Sequence, residues 1–135
     1  MKKLLFDASS FIHALKIGRI DLLIDNYIQW LTIYEVLNGL WKEVYLVKTL
    51  TLEEVEKLNQ VIIEIMSYMN ILSPRGFEKE ILETAIKLGI TVYDSSYIVL
   101  AQKHGLILVT EDKELRDKAK KLVEVKNILD IIKRT

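Results

Sequence analysis

Four carboxylates sit where apolar runs give way to turns or helix starts: Asp7 in LLFDASSF, Glu35 in LTIYEVLNGLW, Asp94 in TVYDSSYIVLA and Asp112 in LILVTEDKEL. Carboxylates repel one another, so a fold that gathers several usually does so to hold a cation. Such a cluster suits metal-assisted hydrolysis, in which a divalent ion activates water and neutralises developing charge. The chain has no cysteine, and His13 and His104 are its only histidines, so a thiolate or histidine-rich zinc centre is excluded. Oxygen ligands point instead to Mg²⁺ or Mn²⁺.

Taken one at a time, each acid also has a purely structural role open to it. Asp is a favoured helix N-cap, worth about 1 kcal/mol, and Asp7, Asp94 and Asp112 all precede helical segments. Thr32-x-x-Glu35 has the form of a capping box. Context favours a shared site for two of them: Asp7 and Asp94 lie in apolar or small-residue stretches. A carboxylate buried there is costly unless paired, hydrogen-bonded or coordinated. Glu53, Glu54, Glu64 and Glu83, by contrast, fall on exposed helix faces. Glu111 and Asp117 stand near enough to Asp112 to replace it.

The elements that must position these acids follow from periodicity. At 135 residues, half of them hydrophobic and one of them proline, the chain has the length of one domain with a real core. Buried strands are expected at Lys2 to Phe6 and Leu106 to Val109, with shorter ones at Ile28–Leu31, Ile90 to Tyr93 and Val123 to Val125. Helices are expected over Ser9 to Lys16, Thr32 to Lys48, Thr51 to Asn70, Phe77 to Leu88, Asp94 to Lys103 and Asp112 to Lys121, and after Asn127. Thr51-x-x-Glu54 is a clear capping box, and Gly89 and Gly105 are natural helix stops. Alternating strands and helices predict an α/β fold with a mainly parallel sheet, whose strand ends would bring the acids to one edge. The long apolar face of the Thr51 helix, and Trp30, Trp41 and Tyr45, are expected to pack.

In this order and spacing, LLFDASSFIHAL, LTIYEVLNGLW, YDSSYIVLAQKHG and ILVTEDKEL resemble the PIN-domain family, and most closely its small prokaryotic VapC-type toxins. The likeness runs from Leu4 to about Val125. It implies a three-layer α/β/α fold around a central parallel sheet, and a divalent-metal ribonuclease. Asp7, Glu35, Asp94 and Asp112 match the family's acids, while Ser9, Asn38 and Thr110 match its supporting polar positions. Ser95-Ser96 departs from the alanine common after the third acid, and Glu111 is an extra acid beside the fourth. The resemblance also implies a homodimer and a small antitoxin partner.

For such a site the expected chemistry is in-line attack of activated water on an RNA phosphodiester, leaving 5′-phosphate and 3′-hydroxyl ends. Asp7, Asp94 and Asp112 are the expected direct metal ligands, and Glu35 acts directly or through water. With 19 basic and 19 acidic residues, no global field draws the chain to a polyanion, so RNA contacts must be local. Lys113 and Arg116 are the favoured phosphate contacts, ahead of Lys42, Arg75, Lys103 and His104. No apolar run is long enough to span a bilayer, and the expected location is cytoplasmic. The rival readings are an RNA-processing nuclease without an antitoxin, a non-catalytic binding module, and an aspartate phosphotransferase. The last is disfavoured because Ser9 stands where a second acid is needed.

Overall fold

A computed structural model describes residues 2–133. Five short strands, β1 (Leu4–Phe6), β2 (Tyr27–Gln29), β3 (Asn70–Leu72), β4 (Ile107–Val109) and β5 (Val125–Lys126), form one sheet in the order β3-β2-β1-β4-β5. Every pairing is parallel, with Leu5 opposite both Tyr27 and Leu108. The expected parallel sheet is therefore present, and β1 lies at its centre.

Alternation along the strands sorts side chains into two cores. Phe6, Ile28 and Val109 point to one face, where they meet Phe11 and Ala14 of α1 (Ala8–Lys16), Val36 and Leu40 of α2 (Trp30–Tyr45), Ile62, Ile65 and Met66 of α3 (Leu52–Ser67), and Ile128 of α7 (Ile128–Ile132). Leu5 and Leu108 point to the other, against Tyr97, Ile98 and Ala101 of α5 (Val92–His104) and Leu115 and Ala119 of α6 (Lys113–Ala119). The layering is α/β/α, with α4 (Glu78–Leu88) packed on α5. Each fully buried Leu, Ile or Phe in these layers contributes roughly 1.5–3 kcal/mol of transfer free energy. No helix among the described residues is long and apolar enough to cross a membrane.

Local chemistry explains where the elements begin. The Thr51 capping box forms as expected: Glu54 N–H donates to Thr51 Oγ1 at 3.2 Å, and Thr51 N–H donates to Glu54 Oε1 at 3.0 Å. Asn127 caps α7 by accepting from Asp130 N–H at 2.8 Å. Gly89 ends α4 in the left-handed region at φ 66°, a conformation that costs glycine little. Ile90 N–H then closes back onto Ala85 O at 3.1 Å.

That closure overturns the expected strand at Ile90 to Tyr93. Thr91, not Asp94, is the N-cap of α5, with its hydroxyl accepting from Asp94 N–H at 3.1 Å. The Thr51 helix ends at Ser67, three residues short of expectation, because Asn70–Leu72 pairs with β2 as an edge strand. Helix α2 starts at Trp30, before the expected Thr32. The Thr32 hydroxyl accepts from Gln29 N–H at 3.1 Å, so the Thr32–Glu35 box does not form and Glu35 lies in the second turn. Trp30, Trp41 and Tyr45 are exposed rather than packed, and the rings of Trp41 and Tyr45 stack on each other at 5.2 Å.

Candidate active site

The strand order reverses between β1 and β4, and groups just beyond the carboxyl ends of strands at such a switch point face a common crevice. Asp7 follows β1 there, and Thr110 to Asp112 follow β4. Asp7 is 8% exposed and is held from all sides. Its Oδ1 accepts from Ser9 Oγ at 2.7 Å, Ser10 N–H at 3.0 Å and Ser10 Oγ at 3.0 Å, and its Oδ2 accepts from the Thr110 hydroxyl. Ser10 Oγ also reaches Val109 O at 2.6 Å, which locks the β1–α1 corner to β4. Asp7 is therefore both the N-cap of α1 and a carboxylate fixed in the crevice. Burial pushes its pKa up, against the lowering effect of these hydrogen bonds.

Glu35 reaches the same place from α2. Its Oε1 accepts from Tyr97 Oη at 2.6 Å, and Tyr97 Oη also shares a hydrogen bond with Thr32 Oγ1 at 2.8 Å. Gln29 Nε2 donates to Ser96 Oγ at 2.7 Å, so the starts of α2 and α5 are tied by several side-chain bonds. The Glu35 pKa is raised by burial first; Tyr97 lowers it, and the charges of Asp7 and Asp94 raise it further. Asp94, in the first turn of α5, has a side chain that accepts no hydrogen bond among the described residues. Burial raises its pKa most, followed by the charges of Asp112, Asp7 and Glu114. Asp7 thus acts on both Glu35 and Asp94, and Asp112 acts on Asp94.

Asp112 is exposed and caps α6, with Oδ1 accepting from Leu115 N–H at 3.2 Å. Asp112, Asp94 and Glu114 line a cavity of about 200 Å³ bounded by the Gly89–Thr91 turn and Lys118. Glu111 is committed elsewhere: its Oε2 accepts from Ile128 N–H at 2.8 Å and so anchors the start of α7. Asp117, five residues into α6 and exposed, is not among the charges that act on Asp94, Glu35 or Asp7.

The supporting residues divide. Ser9 and Thr110 hold Asp7 directly, and Ser9 Oγ also accepts from Glu111 N–H at 3.1 Å. Asn38 is exposed one turn beyond Glu35, and its side chain makes no hydrogen bond among the described residues. Arg116 is half-buried, and its Nη1 donates to Thr110 O at 2.9 Å, which brings the guanidinium to the crevice; Lys113 is exposed at the start of α6. Lys103 and His104 lie at the far end of α5, against the Phe77 ring. At a rise of about 1.5 Å per residue they stand some 14 Å along the helix from Asp94. Sequence reasoning gave no role to Tyr97, Gln29 or Ser96, and read Thr32 only as a helix cap. For Tyr97 a signal existed, since its spacing of three from Asp94 sets both on one side of a helix.

Among the described residues, no three His, Asp or Glu side chains stand together closely enough to hold an ion by themselves. The donor set is nonetheless one of hard oxygens, with Asp7 and Asp94 raising the Glu35 pKa and Asp112 and Asp7 raising that of Asp94, a repulsion that a divalent cation relieves. Mg²⁺ commonly binds through one or two carboxylates and keeps its remaining ligands as water and phosphate.

A parallel α/β/α sheet, with Asp7 fixed at its switch point and Asp94 and Asp112 lining one cavity, defines the class of protein. The chain belongs to the PIN-domain family, whose profile matches residues 4–121. It is 37% identical over 99 residues to the exonuclease VapC9 of Pyrobaculum aerophilum, a match covering 73% of this chain and 71% of that protein. It is 34% identical over 93 residues to the ribonuclease VapC3 of the same organism, covering 69% of this chain and 70% of that one. The crystal structure of PAE2754, also from P. aerophilum, superposes with a TM-score of 0.81 at 30% identity and covers 98% of this chain and 88% of that chain. The nuclease names of the two relatives support a VapC-type nuclease.

Proposed function

We propose that the protein is a divalent-metal-dependent endoribonuclease, the toxin of a VapBC-type pair that works as a homodimer and is held in check by a small antitoxin. The observation that carries the nuclease reading is the buried Asp7 carboxylate, fixed by Ser9, Ser10 and Thr110 at the switch point of a PIN-family fold, together with the cavity that Asp94 and Asp112 line. The relatives' VapC names support the toxin reading.

Asp7, Asp94 and Asp112 are the residues to hold Mg²⁺ or Mn²⁺, with Glu35 bound directly or through water. The ion would supply a lowered pKa for its water and counter-charge for the phosphate oxygens. Ser9, Ser10 and Thr110 fix the Asp7 carboxylate so that it does not reorganise during the reaction. Glu35, oriented by Tyr97, is placed to accept a proton from the attacking water. Arg116 and Lys113 are the phosphate contacts at the rim.

The name of one relative favours a second reading, cleavage from an RNA end. One experiment addresses both: wild type, Asp7→Asn and Asp94→Asn act on linear and circular RNA with Mg²⁺, Mn²⁺ or EDTA. Cleavage of circles by wild type alone, only with metal, yielding 5′-phosphate and 3′-hydroxyl ends, is expected. Circles left intact while linear RNA is degraded would establish the exonuclease reading. Cyclic phosphate products, or activity surviving in both variants, would overturn the mechanism.

A further inference from the structure

Helix α2 keeps one apolar side out of its own fold. Thr32, Val36 and Leu40 are buried, and Glu35 turns to Tyr97. Trp30, Tyr34, Leu37, Trp41 and Tyr45 line another side, each between 40% and 73% exposed. At about 100° per residue the five fall within a sector of about 80°, a single stripe roughly 22 Å long. No charged residue interrupts it. On α3, by contrast, the exposed Val61 and Ile63 stand among Lys57, Gln60 and Glu64.

Area and symmetry together say what covers the stripe. A Trp or Tyr side chain brings about 150–250 Å² when fully buried, so at these exposures each copy offers roughly 500–600 Å². Two copies laid together would bury about 1,100 Å², close to the lower end of a specific interface at about 1,200 Å². The exposed Leu46 and Val47, just beyond the end of α2, extend the surface further. The stripe is also spaced alike from either end. About the point between Leu37 and Asn38, Trp30 and Tyr45 stand equally far out, and so do Tyr34 and Trp41. A two-fold contact needs a surface that complements itself. Antiparallel pairing sets Trp30 against Tyr45 of the second copy and Tyr34 against Trp41, with the two Leu37 side chains meeting at the axis. The helix dipoles then oppose, whereas parallel pairing would place like ends together. A partner of different sequence would not call for this symmetry.

We propose that this stripe of α2 is the surface on which two copies of the chain pair, antiparallel about Leu37. The proposal rests on the homodimer reading above and on none of its chemistry. Its test is the mass of the full chain in solution, followed by sedimentation over a range of micromolar concentrations, with circular dichroism to confirm folding.

The wild type is expected to be a dimer. Leu37→Glu and Leu37→Lys each set a charge against its own copy at the axis, and each should raise the dissociation constant at least roughly a hundredfold. An equimolar mixture of the two variants should regain the dimer, because unlike charges then meet. Trp30→Glu and Tyr45→Lys should each weaken pairing, and the two combined in one chain should recover much of the loss. In an antiparallel pair the new charges face each other; in a parallel pair each would face its like. A monomeric wild type overturns the proposal and the homodimer reading with it. A dimer untouched by the Leu37 variants overturns this surface alone, and a double variant weaker than either single one overturns the antiparallel pairing. A wild-type dimer that cleaves no RNA would defeat the nuclease reading and leave the interface standing.

Discussion

Removing one oxygen atom, by Tyr97→Phe, separates the support of the acid site from the acids themselves. The Tyr97 side chain is 1% exposed, and phenylalanine fills the same space without opening a void large enough to matter. Two hydrogen bonds are lost, one to the Glu35 carboxylate at 2.6 Å and one with Thr32 Oγ1 at 2.8 Å. A bond to a charged group contributes about 1.5–3 kcal/mol and a neutral one about 1 kcal/mol. Thr32 Oγ1 keeps Gln29 N–H, and the half-buried Glu35 can turn to water, so the net cost is about 2 kcal/mol. For a domain of this length, that corresponds to a fall in Tm of roughly 8 °C.

The effect on catalysis has a definite sign. The Tyr97 hydroxyl lowers the Glu35 pKa, so its loss lets burial and the charges of Asp7 and Asp94 raise that pKa further. The acid limb of the pH–rate profile should move to higher pH. Cleavage at neutral pH should fall about tenfold or more in kcat with KM little changed, because the loss concerns orientation of a proton acceptor rather than RNA binding. Thermal unfolding and a pH series of initial rates with Mg²⁺ would measure both. A variant with lowered Tm but an unmoved acid limb and unchanged kcat would refute the assignment of Tyr97 and Glu35 to the reaction.

Asp7→Asn should abolish cleavage and leave the fold intact, because the amide oxygen still accepts from Ser9 and Ser10 while Thr110 can turn its hydroxyl to accept; activity and circular dichroism together check this. Glu111→Gln should cost about 1 kcal/mol through its bond to Ile128 and keep activity, whereas Asp112→Asn should lose it; equal losses would mean that Glu111 is part of the site. The folded pKa values of Asp7, Glu35 and Asp94 stand above their ordinary values, so the folded state holds these protons more tightly. Metal-free protein should therefore be more stable in mild acid and lose that advantage as pH rises through the folded pKa values. Added Mg²⁺ should raise the Tm most at neutral pH and little in acid. A Tm that rises steadily from pH 4 to 7 without metal would contradict the raised pKa values of these buried and half-buried acids.

The sequence by itself determined a good deal of this protein. Strong periodicity and unambiguous caps set the Thr51 helix, the Asn127 cap and the two central strands, because these depend on residues within a few positions of one another. It also marked Asp7 and Asp94 as acids in an apolar setting, where solvation makes a lone carboxylate costly. It could not place the edge strand Asn70–Leu72, since three residues gain strand geometry only from pairing with β2, more than forty residues away. Nor could it choose between Thr91 and Asp94 as the cap of α5, a choice made by the way Gly89 closes the preceding helix. Thr32–Glu35 matched a capping box in sequence, and only the earlier start of α2 freed Glu35 to meet Tyr97.

Tertiary structure alone separated carboxylates that the sequence left equivalent. Glu111 and Asp112 are neighbours with the same charge, yet Glu111 is drawn to the Ile128 amide at the start of α7, while Asp112 caps its own helix and lines a cavity with Asp94. It likewise turned Trp30 and Trp41 outward, because whether a helix face is covered depends on what packs beside it and not on the face. Charge, periodicity and capping act over short stretches of chain and are legible there. Convergence and exposure are properties of segments far apart in sequence, and they exist only once the sheet has brought those segments to one edge.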